Sequence, residues 1–289
     1  MTMPPIVPAK LHFISGLPRS GSTLLAGILR QNPRFHAAMS GPVAGLVTVL
    51  LNAMGPQNET AVFLDEDRKA ELLRAVISAY YRPQTDKDVL FDTNRAWCAR
   101  LPLLRTLFPE AKVICCMRNV AWVLDSFERL VRKNALSPTR LFATPEERQT
   151  VYSRVEALAH RDRVVGFAWS ALKEAYYGEH SSALLLVEYD LLTRRPEETL
   201  RLVYRFLGED WFGHDFENVA YDEPEFDAQL ATPGLHSVRR RVEHLPRPIV
   251  LPPDLFEKYA SLSFWQDAKG SAAFRITAQQ SSATDAAGL

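Results

Sequence analysis

Residues 11–25 read Leu11-His12-Phe13-Ile14-Ser15-Gly16-Leu17-Pro18-Arg19-Ser20-Gly21-Ser22-Thr23-Leu24-Leu25. The opening run, Leu11 to Ser15, has the apolar character of a buried strand, and Ser22 to Gln31 has that of a helix. Gly16 and Gly21 reach backbone angles that other residues resist, so consecutive main-chain amides between them can turn inward around an anion. The helix start adds unpaired N–H groups and a partial positive charge. Arg19 and the hydroxyls of Ser20, Ser22 and Thr23 complete a strand–turn–helix unit built to receive a negatively charged group.

The pattern repeats along the chain. Val89-Leu90-Phe91 reads as a strand followed by a helix near Leu101 to Leu107. Lys112 to Met117 is a third strand that runs into a helix over about Ala121 to Arg132. Ala183 to Val187 is a fourth, and the helix Glu197 to Leu207 ends at Gly208, a residue suited to helix termination. Continuous apolar strands, each followed by a helix, indicate a buried parallel sheet. The expected fold class is therefore α/β: a single P-loop-type domain with a central, mainly parallel sheet, flanking helices, and helical and loop insertions. Pro145 to Tyr177 reads as helical, and Val43 to Leu51 as a short core or lid segment. Tyr221 to Asp227 and Pro233 to Pro253 read as loops wrapping the sheet, and Asp254 to Tyr259 as a short helix. The expected organisation is an N-terminal extension at 1–10, one domain at 11–269 and a disordered tail at 270–289, where Ser, Ala, Thr and Gln dominate.

The 289 residues contain 34 Lys plus Arg and 34 Asp plus Glu, so the formal net charge is zero. That balance argues against sequence-independent nucleic-acid binding, which needs surplus cations to displace counterions. The N-terminal stretch lacks the charged and apolar regions of a signal peptide, and no apolar run approaches the ~18 residues of a membrane span. Cys98, Cys115 and Cys116 are odd in number and offer neither a disulfide framework nor metal-ligand spacing. Buried free thiols in a reducing cytoplasm are the expectation.

The spacing from Gly16 to Thr23 is that of a Walker phosphate loop with one change: Ser22 stands where the lysine belongs. A kinase uses that lysine on the β/γ-phosphates. Its absence, and the lack of an acidic strand end beyond Asp190, argue against the kinase alternative. A second anion site falls at Arg118, at the carboxyl end of a strand where open α/β sheets bind ligands. Ser126 lies two helical turns further on, where its hydroxyl and the Arg118 fork can share one anion.

On these residues the sequence resembles the sulfotransferases that use 3′-phosphoadenosine 5′-phosphosulfate (PAPS). Leu17 to Leu25 is similar to that family's 5′-phosphosulfate loop, and Arg118 to Ser126 to its 3′-phosphate motif. Leu186-Val187-Glu188-Tyr189-Asp190-Leu191-Leu192, then Pro196, then Phe206-Leu207-Gly208, resembles the pattern after a later strand of the family. The overall pattern is nearest to bacterial members and to tyrosine-protein sulfotransferases. The resemblance implies that Arg19, Ser20, Gly21, Ser22, Thr23 and Leu24 hold the 5′-phosphosulfate, and that Arg118 and Ser126 hold the 3′-phosphate. It places Tyr189 near the nucleotide and brings Arg239, in the run Arg239-Arg240-Arg241, over the 3′-phosphate or the transferring group. PAPS is the implied cosubstrate, adenosine 3′,5′-bisphosphate its product, and no metal is required.

The acceptor implied is a molecule bearing a hydroxyl: a peptide tyrosine, a sugar or a small metabolite. The glutamate pair of tyrosine-protein sulfotransferases has no counterpart in Ala38-Met39-Ser40-Gly41-Pro42, and Phe91-Asp92-Thr93-Asn94-Arg95 lacks the lysine common in the family. Asp92 is the first candidate for the base, and Arg95 for the missing positive charge. His36 and His236 are further base candidates. Tyr80, Tyr81, Trp122, Trp169, Phe212 and Tyr221 are candidates for lining an acceptor pocket. A non-catalytic nucleotide-binding module remains the alternative that the departure from the family's usual base leaves open.

Overall fold

The computed structural model describes residues 10–277 apart from 85, 137 and 138. Strand β1 (Lys10–Gly16) leads into α1 (Ser22–Leu29), β2 (Phe35–Ala37), α2 (Val43–Ala53) and α3 (Glu66–Tyr81). Then come β3 (Val89–Thr93), a 3₁₀ turn over Arg95–Arg100, α4 (Leu101–Leu107), β4 (Val113–Met117) and α5 (Val120–Lys133). Helices α6 (Val151–Ala159) and α7 (Val164–Tyr177) precede β5 (Leu184–Glu188). The chain continues through α8 (Tyr189–Arg194), α9 (Pro196–Leu207), α10 (Pro224–Gln229), α11 (Pro253–Ala260) and β6 (Phe274–Ile276).

The six strands form one sheet in the order β2-β3-β1-β4-β5-β6, and every pairing is parallel. Alternation along each strand explains the continuous apolar runs. Phe13, Val113, Cys115 and Leu186 point to one face, with Leu73, Leu104, Leu124 and Leu172. Ile14, Ile114, Cys116 and Val187 point to the other, with Leu25, Ile28, Leu200 and Val203. Both faces are covered, so both alternate sets of positions are mostly apolar.

Topology fixes where a ligand can enter. From β1 the chain runs to β2 and β3 on one side, and from β4 it runs to β5 on the other. The carboxyl ends of β1 and β4 therefore flank the switch point where open α/β sheets carry their binding crevice. At this junction the two backbones nearly touch. A Cβ on Gly16 would lie 2.1 Å from the Cys116 carbonyl oxygen, and Gly16 has φ +103°. Only glycine fits both constraints.

Four sequence expectations are corrected. The segment from Gly270 is not wholly a disordered tail, because Phe274–Ile276 adds a parallel edge strand to β5 and buries Ile276. Residues 278–289 of that tail, and 1–9 of the N-terminal extension, lie outside the described residues; Lys10 already belongs to β1. The segment Tyr221 to Asp227 is not all loop, since α10 starts within it at Pro224. The helical stretch from Pro145 is divided into α6 and α7, with a break at 160–163. All three cysteines are free and buried, with the sulfurs of Cys98 and Cys115 3.6 Å apart.

Replacing Gly16 by Ala should lower stability by at least about 1–3 kcal/mol, the scale of a residue forced into a sparse backbone region. Denaturant unfolding monitored by circular dichroism checks this, and an unchanged midpoint would contradict the close approach of β1 and β4.

Candidate active site

The loop between β1 and α1 has the curvature of an anion-binding nest. Gly16 and Gly21 have φ of 103° and 93°, and Arg19 between them is itself left-handed at φ 59°. A non-glycine residue in that region is uncommon and is tolerated where surrounding contacts hold it. Here Arg19 Nε donates to Ser126 Oγ at 3.1 Å, and its Nη1 donates to the Leu235 carbonyl. Burial pulls the Arg19 guanidinium below its ordinary pKa, with Tyr189 opposing and Arg118 reinforcing the shift. Gly21 precedes α1 without any side-chain cap, so the helix start presents its first-turn amides to the same cavity.

That cavity has a volume of about 750 Å³ and opens over the carboxyl ends of the strands. Gly21, Ser22, Thr23 and Leu24 line it, with Arg19, Arg118, Ser126, Tyr189 and Arg239. Ser20 does not: its hydroxyl is buried and donates to the Pro18 carbonyl at 3.3 Å. Any contribution of Ser20 to an anion is thus restricted to its main chain.

Arg118 leaves the end of β4 and stacks over Tyr189, with its guanidinium carbon 4.2 Å from the ring centroid, and more loosely over Trp122 at 5.8 Å. Its Nε is buried without a hydrogen-bond partner among the described residues, and burial lowers its pKa. Tyr189 in turn packs on the loop, where a Cβ on Gly21 would come within 2.9 Å of the ring. Gly21, Tyr189 and Arg118 are therefore one stack, joining the loop to the Arg118 site. Ser126 lies on α5 as its spacing requires, but its oxygen accepts from Arg19, so it couples the two sites as well as lining the pocket.

A cation that sequence reasoning missed completes this half. Arg247 lies over Trp122 at 5.4 Å and pairs with the fully buried Asp125 at 3.1 Å. Burial and the neighbouring Arg118 pull it down to about 10. Asp125 also accepts from the Val250 amide at 2.7 Å, while Arg132 donates to the Val250 carbonyl at 3.1 Å and Arg129 to that of Pro248. The segment 247–250 is thereby fastened along α5. Of the run Arg239-Arg240-Arg241, Arg239 and Arg241 line the cavity, whereas Arg240 turns to Asn218 at 2.7 Å.

The base candidates separate clearly. Asp92 is not in the cavity. It is buried on the opposite side of β3 from the lining residue Thr93, and its oxygens accept from Tyr81 Oη and Trp97 Nε1, both at 2.6 Å. Burial pushes its carboxyl up, against those two hydrogen bonds. The physical reason for this correction is strand alternation: Asp92 shares the face of Phe13, and the next residue reaches the pocket. His36 stacks edge-on against Tyr81 and does not line the cavity. Arg95 does line it, and burial lowers its pKa.

His236 lines the cavity, and its Nδ1 lies 2.6 Å from Oδ1 of the buried Asp227. Its own main-chain N–H donates to Asp227 Oδ2 at 2.9 Å, so one carboxylate holds both the ring and the backbone. A carboxylate on Nδ1 selects the tautomer that leaves Nε2 free to accept a proton. None of Tyr80, Tyr81, Trp122, Trp169, Phe212 and Tyr221 lines the cavity, where the aromatic walls are Phe127, Tyr189 and Phe226. Among the described residues no group of His, Cys, Asp and Glu is placed to hold a metal ion, and no helix is long and apolar enough to cross a membrane.

The geometry agrees with the comparisons. Residues 12–213 match the model of the sulfotransferase family, and the chain belongs to that family. The nodulation protein NoeE of Sinorhizobium fredii (strain NBRC 101917 / NGR234) is 28% identical over 231 residues, covering 73% of this chain and 53% of that protein. The chain thus spans about half the length of the curated relative it matches. The sulfotransferase domain of the Synechococcus PCC 7002 olefin synthase superposes with a TM-score of 0.50 at 20% identity, covering 90% of this chain and 96% of that one. The sulfotransferase domain of the curacin biosynthetic pathway gives 0.51 at 17% identity, covering 88% and 97%. These two share the α/β fold.

Asp92→Asn should lower stability by about 1–3 kcal/mol, the scale of a disturbed buried hydrogen bond. Its transfer rate per folded molecule should stay close to that of the wild type. Thermal unfolding together with turnover checks this, and a lost rate at unchanged stability would return Asp92 to the site.

Proposed function

We propose that this chain transfers the sulfuryl group of PAPS to an acceptor hydroxyl, and that it does so in the cytoplasm. The observation that carries the reading is a single cavity with two cationic clusters that stand on different elements. One is the Arg19 loop with the start of α1; the other is Arg118 with Arg247. A nucleotide phosphorylated at both 5′ and 3′ positions offers an anion to each cluster, whereas a triphosphate concentrates its charge in one chain. The absence of a lysine at Ser22 supports the same choice. Three free, buried thiols support a reducing compartment.

In this reading Arg19, the loop amides and the first turn of α1 hold the phosphosulfate, while Ser22 and Thr23 supply hydroxyls. Ser20 acts through its main chain. Arg118, Arg247 and Ser126 hold the 3′-phosphate, Tyr189 packs beside the nucleotide, and Arg239 closes the rim. Catalysis is then positioning and charge stabilisation. The acceptor oxygen attacks sulfur, the bond from sulfur to the bridging phosphate oxygen breaks, and the bisphosphate leaves. The acceptor proton goes to His236 Nε2, and Asp227 orients the ring and stabilises the imidazolium formed. No metal takes part. A peptide tyrosine, a sugar and a small metabolite are the acceptor types this chemistry accommodates.

Three variants test the assignment with ³⁵S-labelled PAPS. Arg19→Ala should abolish transfer, and unchanged turnover would remove the loop from the mechanism. Arg118→Ala should weaken PAPS and the bisphosphate alike, by about tenfold or more for a lost charged hydrogen bond; equal affinities in variant and wild type would refute the 3′-phosphate site. His236→Gln should lower the rate about 10²–10⁴-fold, the contribution of a general base. It should leave bisphosphate affinity nearly unchanged, and a fully active variant would exclude His236.

A further inference from the structure

The donor reading leaves three cations of the cavity unassigned. Arg241 pairs with Glu217 at 3.0 Å, which leaves Arg140 and Arg95, the candidate for the family's missing positive charge. Arg95 opens the 3₁₀ turn after β3, on the far side of β1 from Arg118. Arg140 lies in the stretch between α5 and α6. Both line the cavity, and neither side chain has a hydrogen-bond or ion-pair partner among the described residues. Glu243 is the one carboxylate among the described lining residues.

The elements that carry these two cations are tied together. Helix α7 packs against the 3₁₀ turn that Arg95 begins, and its first residue, Val164, lines the cavity. Arg163 donates to the Leu141 carbonyl at 3.3 Å, tying the neighbour of Arg140 to the start of α7. The Arg140 amide donates to the Leu230 carbonyl at 3.3 Å, tying the same stretch to the segment that carries His236. The lining these elements contribute is apolar at Leu141, Val164 and Leu230 and carries the two guanidinium groups. Arg95 is partly buried and has no counter-ion among the described residues, so a ligand of opposite charge is favoured beside it. Here the donor's anionic groups already have partners on the other side of β1.

We propose that the acceptor carries an anionic group, a carboxylate or a phosphate, which Arg95 and Arg140 bind while the apolar lining holds its body and its hydroxyl faces His236. This rests on the sulfotransferase reading above and narrows its substrate class. An arginine fork matches the planar or tetrahedral oxygens of either group.

The test uses the full-length chain saturated with adenosine 3′,5′-bisphosphate and two matched probe pairs, read by calorimetry. One pair is 4-hydroxyphenylacetate and its amide; the other is glucose 6-phosphate and glucose. The anionic member of at least one pair should bind about tenfold more tightly than its neutral partner, a difference of about 1.4 kcal/mol. Which pair discriminates tells carboxylate from phosphate. Arg95→Gln should remove the preference and Arg95→Lys should restore part of it, with bisphosphate affinity retained in both. Arg140→Gln, at an exposed position, repeats the test if Arg95→Gln does not fold. No preference in either pair, or a preference that survives both Gln variants, would overturn the proposal. So would an Arg95→Gln protein that binds PAPS more weakly but the bisphosphate normally, since that places Arg95 on the sulfuryl group. A wild-type chain that does not take the bisphosphate refutes the donor reading instead, and the pairs are then compared on the protein alone.

Discussion

The guanidinium of Arg19 joins three parts of the chain that are distant in sequence. It stands on a left-handed residue of the β1–α1 loop, donates to Ser126 on α5, and donates to the Leu235 carbonyl beside His236. Loop, helix and C-terminal segment therefore share one half-buried cation. The loop side of the cavity, the Arg118 side and the His236–Asp227 pair are positioned relative to one another through it. A strained backbone at such a point is held by the contacts around it, and its strain stays local.

Charge explains why the cavity is poised for an anion although the whole chain is neutral. The 34 basic and 34 acidic residues balance overall, yet Arg19, Arg118 and Arg247 converge at the strand ends. Burial pulls each of their pKa values down, and the proximity of Arg118 adds to the shift of both Arg19 and Arg247. Asp125 offsets part of that repulsion from beneath Arg247, and Asp227 acts on Arg19 in the same sense. Most of the acidic residues lie elsewhere, so an incoming polyanion meets a field that the net charge conceals.

Much of this was legible in the sequence because the strands are buried on both faces and read as apolar runs. The turn from Gly16 to Gly21 was legible because its backbone geometry demands glycine. Two three-residue strands, β2 and β6, are too short to carry a periodic signal. Helix α3 carries a local signal: Asp65 caps it by accepting from the Arg68 amide at 2.8 Å, and Glu66 and Asp67 follow in the first turn. Asp92 shows the limit of adjacency, since a one-residue step along β3 separates a buried carboxylate from a pocket residue. Asp227 and Arg247 were invisible for a different reason. Their roles come from partners at His236 and Asp125, and the pairing of Arg247 with Asp125 spans a separation that no local pattern encodes.

The central claim is that the two cationic sites of one cavity belong to a nucleotide phosphorylated at both ends. Calorimetric titration of the purified chain with adenosine 3′,5′-bisphosphate, and separately with ATP and Mg²⁺, tests it most directly. The account predicts tight binding of the bisphosphate with little response to ATP and Mg²⁺. Preference for ATP with Mg²⁺ would contradict it and make Ser22 a permissible replacement for the phosphate-loop lysine.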